Sequence, residues 1–334
     1  MLRIALLLSF LFTFSHSFAQ EQKVSVAFYN LENLFDTLDA PRSGDFDWTP
    51  GGRKAWDTKR YQKKLNDLAY VIEKLDADSQ NPGPDVLGFC EVENRAVVED
   101  LIKTKPIAKA NYGIVHFESP DHRGIDVGLL YRQDRFKVTG KKTYTLHFPG
   151  EDYRTRDQLY VEGELLGEKV HLIVNHWPSR RGGPKASNYR RVAAAKLCKS
   201  IIDSVQQVDP QANIIVMGDF NDNPSNESIS QVIRAEPKVK DVKKQGFYNP
   251  LAKHLTDERG TLCYRDVWYL FDQILLSKSL LDDEGISFTR ADIYDDESIQ
   301  VQGGKYDGHP LRTHAGSLYL KGYSDHFAVY VLFK

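Results

Sequence analysis

The sequence predicts an α/β fold of two packed sheets with helices on their outer faces, that is, a two-sheet, four-layer α/β sandwich. Short runs typical of buried strands alternate with longer segments whose apolar residues recur at helical spacing. The strand-like runs outnumber the helical ones, and two packed sheets would bury that many strands. Because no fixed-period repeat, low-complexity tract or linker breaks this pattern, we expect residues 20–334 to form a single domain.

Two strand-helix-strand units of similar plan are expected, one in each half of the chain. In chain order they comprise a strand over 24–29, a helix over 58–75 and a strand over 85–90, then a strand over 170–174, a helix over 192–205 and a strand over 213–217. Further strand-like runs cover residues 125–132, 142–146, 158–165, 271–276 and 326–333. Residues 36–56 are rich in Asp, Gly and Pro and are expected to form a long loop beside the end of the first strand.

The composition is that of a soluble globular protein. Of 334 residues, 41% are hydrophobic and 27% are charged, and the formal net charge is −2. This charge argues against a protein that holds nucleic acid mainly by bulk positive charge, although a few phosphates can still be bound locally. An interrupted basic stretch over 238–244 is expected to be a solvated face.

The first nineteen residues have the plan of a secretory signal peptide. Arg3 precedes an apolar run over 4–14, which is too short to span a bilayer, and Ser17-Phe18-Ala19 offers a small-x-small cleavage pattern. We therefore expect residues 1–19 to be removed and the protein to be exported to the periplasm or the extracellular space. A monomer without stable membrane insertion is expected.

Polar residues follow several of the predicted strands at the point where each strand ends. They are Asn30, Glu91, Asn175-His176, Asp219-Phe220-Asn221 and, at the start of the final strand, Asp325-His326. Any one of them alone fits a turn residue or a helix cap. Because ligands bind at the carboxyl ends of strands in open sheets, we expect the whole set to converge on one crevice.

The three cysteines are interpreted as small buried hydrophobes, with at most one disulfide among them. They are Cys90, Cys198 and Cys263. Cys90 directly precedes Glu91, and if the strand alternates regularly their side chains point to opposite faces. A Cys-rich zinc site is excluded by the types of ligand that are present.

The residues at the strand ends, in their order and spacing, resemble the endonuclease/exonuclease/phosphatase superfamily of metal-dependent phosphoesterases. The elements that carry the resemblance are Tyr29-Asn30, Cys90-Glu91-Val92, Asn175-His176, Gly218-Asp219-Phe220-Asn221, Phe271-Asp272-Gln273 and Ser324-Asp325-His326. The resemblance extends from about Val24 to the C-terminus and looks most like secreted bacterial members. It implies hydrolysis of phosphoric esters and fixes the reaction better than the substrate.

The resemblance also implies a divalent metal site. Glu91 matches the principal Mg²⁺ ligand of the superfamily, with Asn30 and Asp325 nearby, and Mn²⁺ or Ca²⁺ are the alternative ions. Oxygen ligands that leave several waters on the ion are what Mg²⁺ prefers. A hard cation on the phosphate oxygens offsets the charge that repels an incoming hydroxide.

The catalytic roles implied by the resemblance fall on five residues. Asp219 orients or deprotonates the attacking water, while Asn221 and His176 donate hydrogen bonds to the phosphate. His326 also touches a phosphate oxygen, and Asp272 pairs with it and favours its charged form. Which histidine acts as a base stays open.

Four further residues are expected to act at the substrate. Arg156 matches a phosphate-contacting arginine of the nucleases, and Arg123 and Arg180 are weaker candidates. Asp126 is the nearest match to a carboxylate that pairs with the other histidine in the nuclease branch.

The leading substrate is a phosphodiester of DNA or RNA. The alternative enzyme is a phosphatase, or a phospholipase C-like or sphingomyelinase-like hydrolase, on a small or lipid phosphate. A binding module that kept the fold and lost the chemistry is the non-enzymatic alternative.

Overall fold

Two sheets packed face to face form the centre of the computed structural model, which describes residues 23–40, 44–75 and 82–334. In spatial order, the strands of the first sheet are β14 (Phe288–Tyr294), β17 (Ala328–Phe333), β1 (Val24–Leu34), β2 (Val86–Val92), β4 (Asp126–Arg132) and β3 (Tyr112–His116). Those of the second are β5 (Phe136–Tyr144), β6 (Gln158–Leu165), β7 (Glu168–His176), β8 (Asn213–Asp219), β13 (Asp272–Ser277), β10 (Phe247–Tyr248) and β9 (Ala235–Glu236). The expected signal peptide, residues 1–19, lies outside the described residues.

Helices cover the outer faces of both sheets, which confirms the predicted four-layer arrangement. The α-helices are α1 (Thr58–Lys74), α2 (Arg95–Ile102), α3 (Asn188–Val208) and α4 (Ala252–Thr256). Shorter 3-10 segments are Phe46–Trp48, Ala108–Ala110, Val239–Asp241, Lys278–Leu281, Glu297–Ile299 and Gly304–Tyr306, and Ser228–Ile233 is a π-helical turn. Two small hairpins pair β11 (Leu262–Tyr264) with β12 (Val267–Tyr269) and β15 (His314–Ala315) with β16 (Leu318–Tyr319).

Both predicted strand-helix-strand units are present. β1 runs parallel to β2, and β7 runs parallel to β8, with α1 and α3 as the respective crossover helices. Each crossover helix buries the apolar face that its spacing predicted, including Leu65 and Leu68 on α1 and Cys198 and Ile202 on α3. α1 begins where the Asp57 side chain accepts a hydrogen bond from the Arg60 amide, a normal N-cap.

The edge strands are where the predicted boundaries fail. The strand expected over 142–146 is instead the end of β5, which begins at Phe136, and β3 was not predicted. β5 pairs only with β6, and several of its residues are exposed. An edge strand buries little, so its sequence need not carry the apolar signal of a central strand.

The main core lies between the two sheets. Phe28 and Phe89 from the first sheet pack in one cluster with Met217 and Ile274 from the second. Gly88 lies at this interface, where an added Cβ would come within 2.5 Å of Met217 Sδ. Within the part of the chain that the structure describes, none of the helices has the length and the apolar character needed to cross a membrane.

Candidate active site

The polar residues at the strand ends come together at one edge of the two sheets. Asn30 lies where the regular pairing of β1 with β2 ends, and His176 and Asp219 are the last residues of β7 and β8. The Asn30 side-chain amide donates a hydrogen bond of 3.1 Å to Asp219 Oδ2 across the sheet interface. Asp272, the first residue of β13, pairs in register with Asp219 and is fully buried. The two sheets therefore build one site.

Several non-glycine residues at this edge have a left-handed backbone. The φ angles are 46° at Glu32, 50° at Asn33, 63° at Glu91 and 51° at Asn221. Such conformations cost about 1–3 kcal/mol each and persist where surrounding contacts hold them, often at functional sites. One such contact is the Asn33 amide, which donates a hydrogen bond of 3.0 Å to Glu91 Oε2.

The left-handed backbone at Glu91 changes the direction of the Glu91 side chain relative to that of Cys90. The register between β2 and β4 shifts between Cys90 and Val92, so the regular alternation is broken there. Ligand atoms of Cys90, His176 and Asp219 lie within 4.8 Å of one another, while Glu91 Oε1 lies 3.8 Å from His176 Nε2. The expectation that Cys90 and Glu91 face apart is therefore wrong, because both side chains approach His176. All three cysteines are buried, as predicted, and none of them forms a disulfide within the described residues.

Asp219 is a buried carboxylate with three polar neighbours. Besides the Asn30 amide, the Asn221 backbone N–H donates to Oδ1 over 2.9 Å, and His176 Nε2 lies 3.5 Å from Oδ2. Burial raises the pKa of Asp219 to about 7, while the positive charge of His326 opposes this shift. A carboxylate with a pKa near neutrality is suited to accept a proton from water at neutral pH.

The two histidines are held in opposite protonation states. Burial, followed by the charges of Arg156 and Arg123, lowers the pKa of His176 well below its usual range, so the ring is neutral at pH 7. Burial also acts to lower the pKa of His326, but Asp272 outweighs it and raises that pKa well above its usual range. His326 Nδ1 lies 2.6 Å from Asp272 Oδ2. One ring is therefore a neutral donor and acceptor, and the other is a cation.

The final motif positions its histidine through a serine. Ser324 Oγ donates a hydrogen bond of 2.7 Å to the carbonyl of Asn30 and accepts one of 3.1 Å from the His326 amide. Ser324 belongs to the Ser324-Asp325-His326 motif, but no role was predicted for it from the sequence. Asn30, His326 and Ser324 thus form one connected group across β1 and the segment before β17.

The oxygen atoms at this edge suit a hard divalent cation. Asp272 Oδ1 is buried and has no hydrogen-bond partner among the described residues, and ligand atoms of Asp272, Asp219 and His326 lie within 4.8 Å of one another. Glu91 Oε1 is open to an ion, since the Arg123 guanidinium and the neutral His176 ring lie 3.6 and 3.8 Å away. Carboxylate and amide oxygens are the ligands that Mg²⁺, Mn²⁺ and Ca²⁺ take.

Two observations limit the possible ligand set. Burial, then the charges of Asp219 and Glu91, raise the pKa of the Cys90 thiol well above its usual range, which disfavours the thiolate that a zinc site needs. Asp325 lies at the rim, with its side chain 28% exposed and Oδ2 4.0 Å from Arg312 Nη2. Among the described residues, neither Asp325 nor Glu91 belongs to a group of three or more His, Cys, Asp and Glu side chains whose ligand atoms lie within 4.8 Å.

The arginines expected at the substrate occupy three different environments. Arg123 is half-exposed, with Nη2 3.6 Å from Glu91 Oε1. Arg156 is buried and donates to Asp121 and to the carbonyls of His176 and Trp177, so the expected direct phosphate contact is not what this geometry supports.

Arg180 also faces inward. It donates to the Asn221 carbonyl over 2.8 Å and to the Asp222 carboxylate over 3.1 Å, and its guanidinium lies 4.6 Å from the centre of the Phe271 ring. It therefore fixes the turn after β8. Since these donors are already engaged by the protein, Arg180 is placed to position Asn221 and not to grip a substrate.

Asp126 pairs with a different histidine from the one expected. Its Oδ2 lies 3.0 Å from His116 Nε2, and its Oδ1 accepts a hydrogen bond from the Ser119 amide. His176 Nδ1 is buried and has no hydrogen-bond partner within the described ranges. The expected pairing of Asp126 with His176 is wrong, because β3, which carries His116, lies beside β4 and was not predicted.

A model of the Endonuclease/Exonuclease/phosphatase family matches residues 25–334, almost the entire chain. The chain belongs to that family. It is therefore an enzyme that hydrolyses phosphoric esters, and divalent metal is generally used by members of this family. A search of curated proteins finds no match.

Solved structures share the fold at low sequence identity. TDP2 from Caenorhabditis elegans, in truncated form, is 17% identical, with 93% of this chain and 97% of that one covered and a TM-score of 0.56. TDP2 from Danio rerio in complex with a single-strand DNA product is 16% identical, with 94% and 100% covered and a TM-score of 0.56. A mannosyl-6-phosphatase from Bacteroides thetaiotaomicron is 16% identical, with 93% and 99% covered and a TM-score of 0.55. These likenesses establish the family fold.

Asp121, which was not predicted from the sequence, positions two arginines of the site. Its side chain is fully buried and accepts hydrogen bonds from Arg156 Nη1 over 3.0 Å and from the Arg123 amide over 2.9 Å. Asp121 stands in a Pro-Asp-His-Arg-Gly loop, whose composition reads as an ordinary turn. No local pattern distinguishes a surface turn acid from one that is buried against an arginine 35 residues later.

Proposed function

We propose that the chain is an exported Mg²⁺-dependent phosphodiesterase that acts as a monomer, with DNA or RNA as its leading substrate. The observation that carries the proposal is a buried carboxyl group, Asp219, whose pKa is raised to about 7 and which lies beside one neutral and one charged histidine. Hydrolysis of a phosphodiester needs a group that takes a proton from water and groups that stabilise the added negative charge. This edge of the sheets supplies both.

Glu91 and Asn30 would hold the metal ion, and Asp325 would join them from the rim. A bound Mg²⁺ would neutralise phosphate oxygens and lower the pKa of a nearby water. Asn30 has a second task, since its amide orients Asp219 while its Oδ1 accepts the Glu32 amide over 2.9 Å. The chain thus couples the metal ligands to the general base.

Asp219 would orient the attacking water and accept its proton. His176, neutral and with Nε2 directed toward Glu91 and Asp219, would donate a hydrogen bond to the phosphate. His326, charged through Asp272, would stabilise the negative charge that grows in the transition state. The Asn221 side-chain amide donates one hydrogen bond of 3.0 Å to the Trp177 carbonyl, and its second N–H would donate to the phosphate.

Two structural neighbours support different substrates. The fish TDP2 structure contains a single-strand DNA product, which favours a nucleic-acid phosphodiester here. The bacterial mannosyl-6-phosphatase matches equally well over equal length, and it favours the second candidate, a phosphatase on a small phosphate. The proposal keeps the phosphodiester first because the chain also offers arginine side chains beside the site, such as Arg123.

A substrate panel tests the proposal. Plasmid DNA, RNA, bis(p-nitrophenyl) phosphate and p-nitrophenyl phosphate are each incubated with Mg²⁺ and with excess chelator. We expect turnover of the diesters with Mg²⁺ and none with chelator. Turnover of the monoester alone would replace the proposed function with the second candidate, and full activity in chelator would contradict the metal site.

Export is part of the proposal and has its own test. The pattern of Arg3, the apolar run over 4–14 and Ser17-Phe18-Ala19 supports removal of residues 1–19. N-terminal sequencing of the protein from its native compartment is expected to start near Gln20. A product that retains residues 1–19 would contradict it.

A further inference from the structure

A cleft of about 1010 Å³ opens beside the candidate active site. Its charged lining is dominated by five arginines, Arg123, Arg154, Arg156, Arg181 and Arg190, against two aspartates. The whole chain has a net charge of −2, so this concentration of positive charge is local. A cleft lined by one sign of charge focuses the field and attracts ions of the opposite sign.

Two of these arginines form the wall of the cleft. Arg156 is buried beneath it and engaged with Asp121 and the backbone of His176. Arg190 lies with its guanidinium 3.9 Å from the centre of the Tyr153 ring and pairs with Glu151 over 2.8 Å. Each already pairs with a carboxylate, so they shape the cleft and leave its unpaired positive charge to other side chains.

Two other arginines are available to a ligand. The side chain of Arg154 is 65% exposed, and its partner Asp152, at 3.3 Å, is 87% exposed, so the pair is a weak surface contact. Arg181 is exposed and makes no hydrogen bond or ion pair with the residues that the structure describes. The second lining aspartate, Asp121, is neutralised by Arg156.

The cleft shares residues with the candidate active site. Arg123 lines it and also lies 3.6 Å from Glu91 Oε1. Arg156 donates to the carbonyls of His176 and Trp177, and the chain then continues to Ser179 and Arg181, which both line the cleft. An anionic group in the cleft would therefore lie next to the phosphate that is hydrolysed.

We propose that this cleft binds a second phosphate group of the substrate, adjacent to the ester that is hydrolysed. The proposal rests on the proposed phosphoesterase function and adds a substrate class, esters that carry a further phosphate. Arginine is suited to this task because its planar fork matches phosphate oxygens in bidentate fashion. The second phosphate is either the neighbouring phosphate of a nucleic-acid strand or the other phosphate of a small bisphosphate.

Binding without turnover tests the proposal directly. Dissociation constants are measured in excess chelator for two pairs of probes: the dinucleotide TpT with and without a 5′-phosphate, and glucose 6-phosphate with and without a 1-phosphate. We expect the added phosphate to tighten binding about tenfold in one of the pairs, since charge-assisted hydrogen bonds contribute at that level. The pair that responds identifies the source of the second phosphate.

The variant is Arg154→Ala/Arg181→Ala, and its matched control is Lys243→Ala/Lys244→Ala. The control removes the same charge from exposed residues near β10, which pairs with the end of β13 opposite to Asp272. We expect the arginine variant to lose the tightening and the lysine variant to keep it. If neither added phosphate tightens binding, or if the arginine variant keeps the tightening, the proposal is overturned.

Turnover of bis(p-nitrophenyl) phosphate, which has no second phosphate, separates this proposal from the proposed function. We expect kcat and KM for this substrate with Mg²⁺ to change less than about threefold in the arginine variant, because neither residue belongs to the catalytic groups. If the wild-type protein hydrolyses no phosphodiester, the proposed function fails, while the binding data still decide whether the cleft recognises a second phosphate.

Discussion

In both strand-helix-strand units, a buried cation on the crossover helix pairs with an acid in the turn that follows a site residue, but the cation differs. In the first unit, Lys64 on α1 reaches Glu32, which lies two residues beyond Asn30. In the second, Arg191 on α3 reaches Asp222, which lies three residues beyond Asp219. Both cations are almost completely buried. Each crossover helix thus anchors the turn that follows a site residue.

The two buried ion pairs differ in their distance and in whether the charge of each partner persists at neutral pH. Arg191 Nε lies 2.7 Å from Asp222 Oδ1, whereas Lys64 Nζ lies 3.7 Å from Glu32 Oε2 and contacts Thr313 Oγ1 at 2.7 Å instead. Burial raises the pKa of Glu32 to about 7, and burial lowers the pKa of Lys64. An arginine stays charged in either environment. The second unit therefore has a permanent ion pair, and the first has a pair whose carboxylate can take up a proton near neutral pH.

The largest effect should come from the carboxylate that each unit contributes to the chemistry. Glu91→Gln in the first unit and Asp219→Asn in the second should each lower kcat about 10²–10⁴-fold, since one would hold the metal and the other would act as base. Steady-state turnover of a diester with Mg²⁺ measures this, with circular dichroism as the control for folding. Retention of more than a tenth of the wild-type kcat would contradict the assignment for that unit.

The buried cations should separate the two units in stability. Arg191→Met removes the buried cation beside Asp222 and leaves this carboxylate with Arg180 and the Ser228 hydroxyl, and we expect it to lower the free energy of unfolding by about 3–5 kcal/mol. Lys64→Met should cost clearly less, because Glu32 can take up a proton. Urea unfolding at pH 7 measures both. Equal losses in the free energy of unfolding would show that Glu32 does not take up a proton when Lys64 is removed. The double variant Lys64→Met/Glu32→Gln provides the matched neutral control.

The two histidines should respond to different substitutions. His176→Ala and His326→Ala should each lower kcat about 10²–10³-fold, equivalent to roughly 2.7–4 kcal/mol, with little change in KM, because both act on charge that develops in the transition state. Asp272→Asn should reproduce the His326 loss and alter the pH profile of kcat. The cycle of Asp272→Asn with His326→Ala checks the pairing. If the second substitution costs as much in the double variant as alone, the residues act independently.

The smallest effect concerns acid stability in the first unit. His314 packs against Trp48 and Trp56, and its backbone amide donates to Glu32. Burial, followed by the charges of Lys54, Arg60 and Lys64, lowers the pKa of His314 to about 4. The pKa of His314 is lower in the folded protein than in the unfolded chain, where it is near 6.5, so the neutral ring stabilises the folded protein above that pH. This stabilisation is lost as the pH falls through 4.

The substitution that sharpens this point is His314→Phe. Neither ring nitrogen of His314 has a hydrogen-bond partner of normal geometry in the described part of the chain, so an apolar ring should replace it at little cost. We expect His314→Phe to stabilise the protein by about 1 kcal/mol at pH 4–5 relative to the wild type, with less difference at pH 7. Thermal unfolding followed by tryptophan fluorescence measures it. A difference that does not vary with pH would contradict the role of the imidazole.

The sequence by itself determined the alternation of strands and helices and the identity of the residues at the strand ends. The spacing of apolar residues is a local property of the sequence, so the positions of Leu65 and Leu68 predict a buried face of α1 without knowledge of the rest of the fold. The residues at the strand ends were equally readable, because the ends of parallel strands meet at one edge of a sheet. Asn30 and Asp219, 189 positions apart, lie on different sheets, so their hydrogen bond depends on how the two sheets pack.

Only the tertiary structure decided which partner each of these side chains takes. Arg156 turns inward because Asp121 is buried beneath it, and Asp126 pairs with His116 because an edge strand with a weak apolar pattern lies beside β4. Glu91 and Cys90 both approach His176 because the strand alternation breaks at Glu91, where the backbone is left-handed. Such pairings join residues that are distant in sequence, and their free energies depend on burial and charge in the assembled fold, which no local pattern encodes.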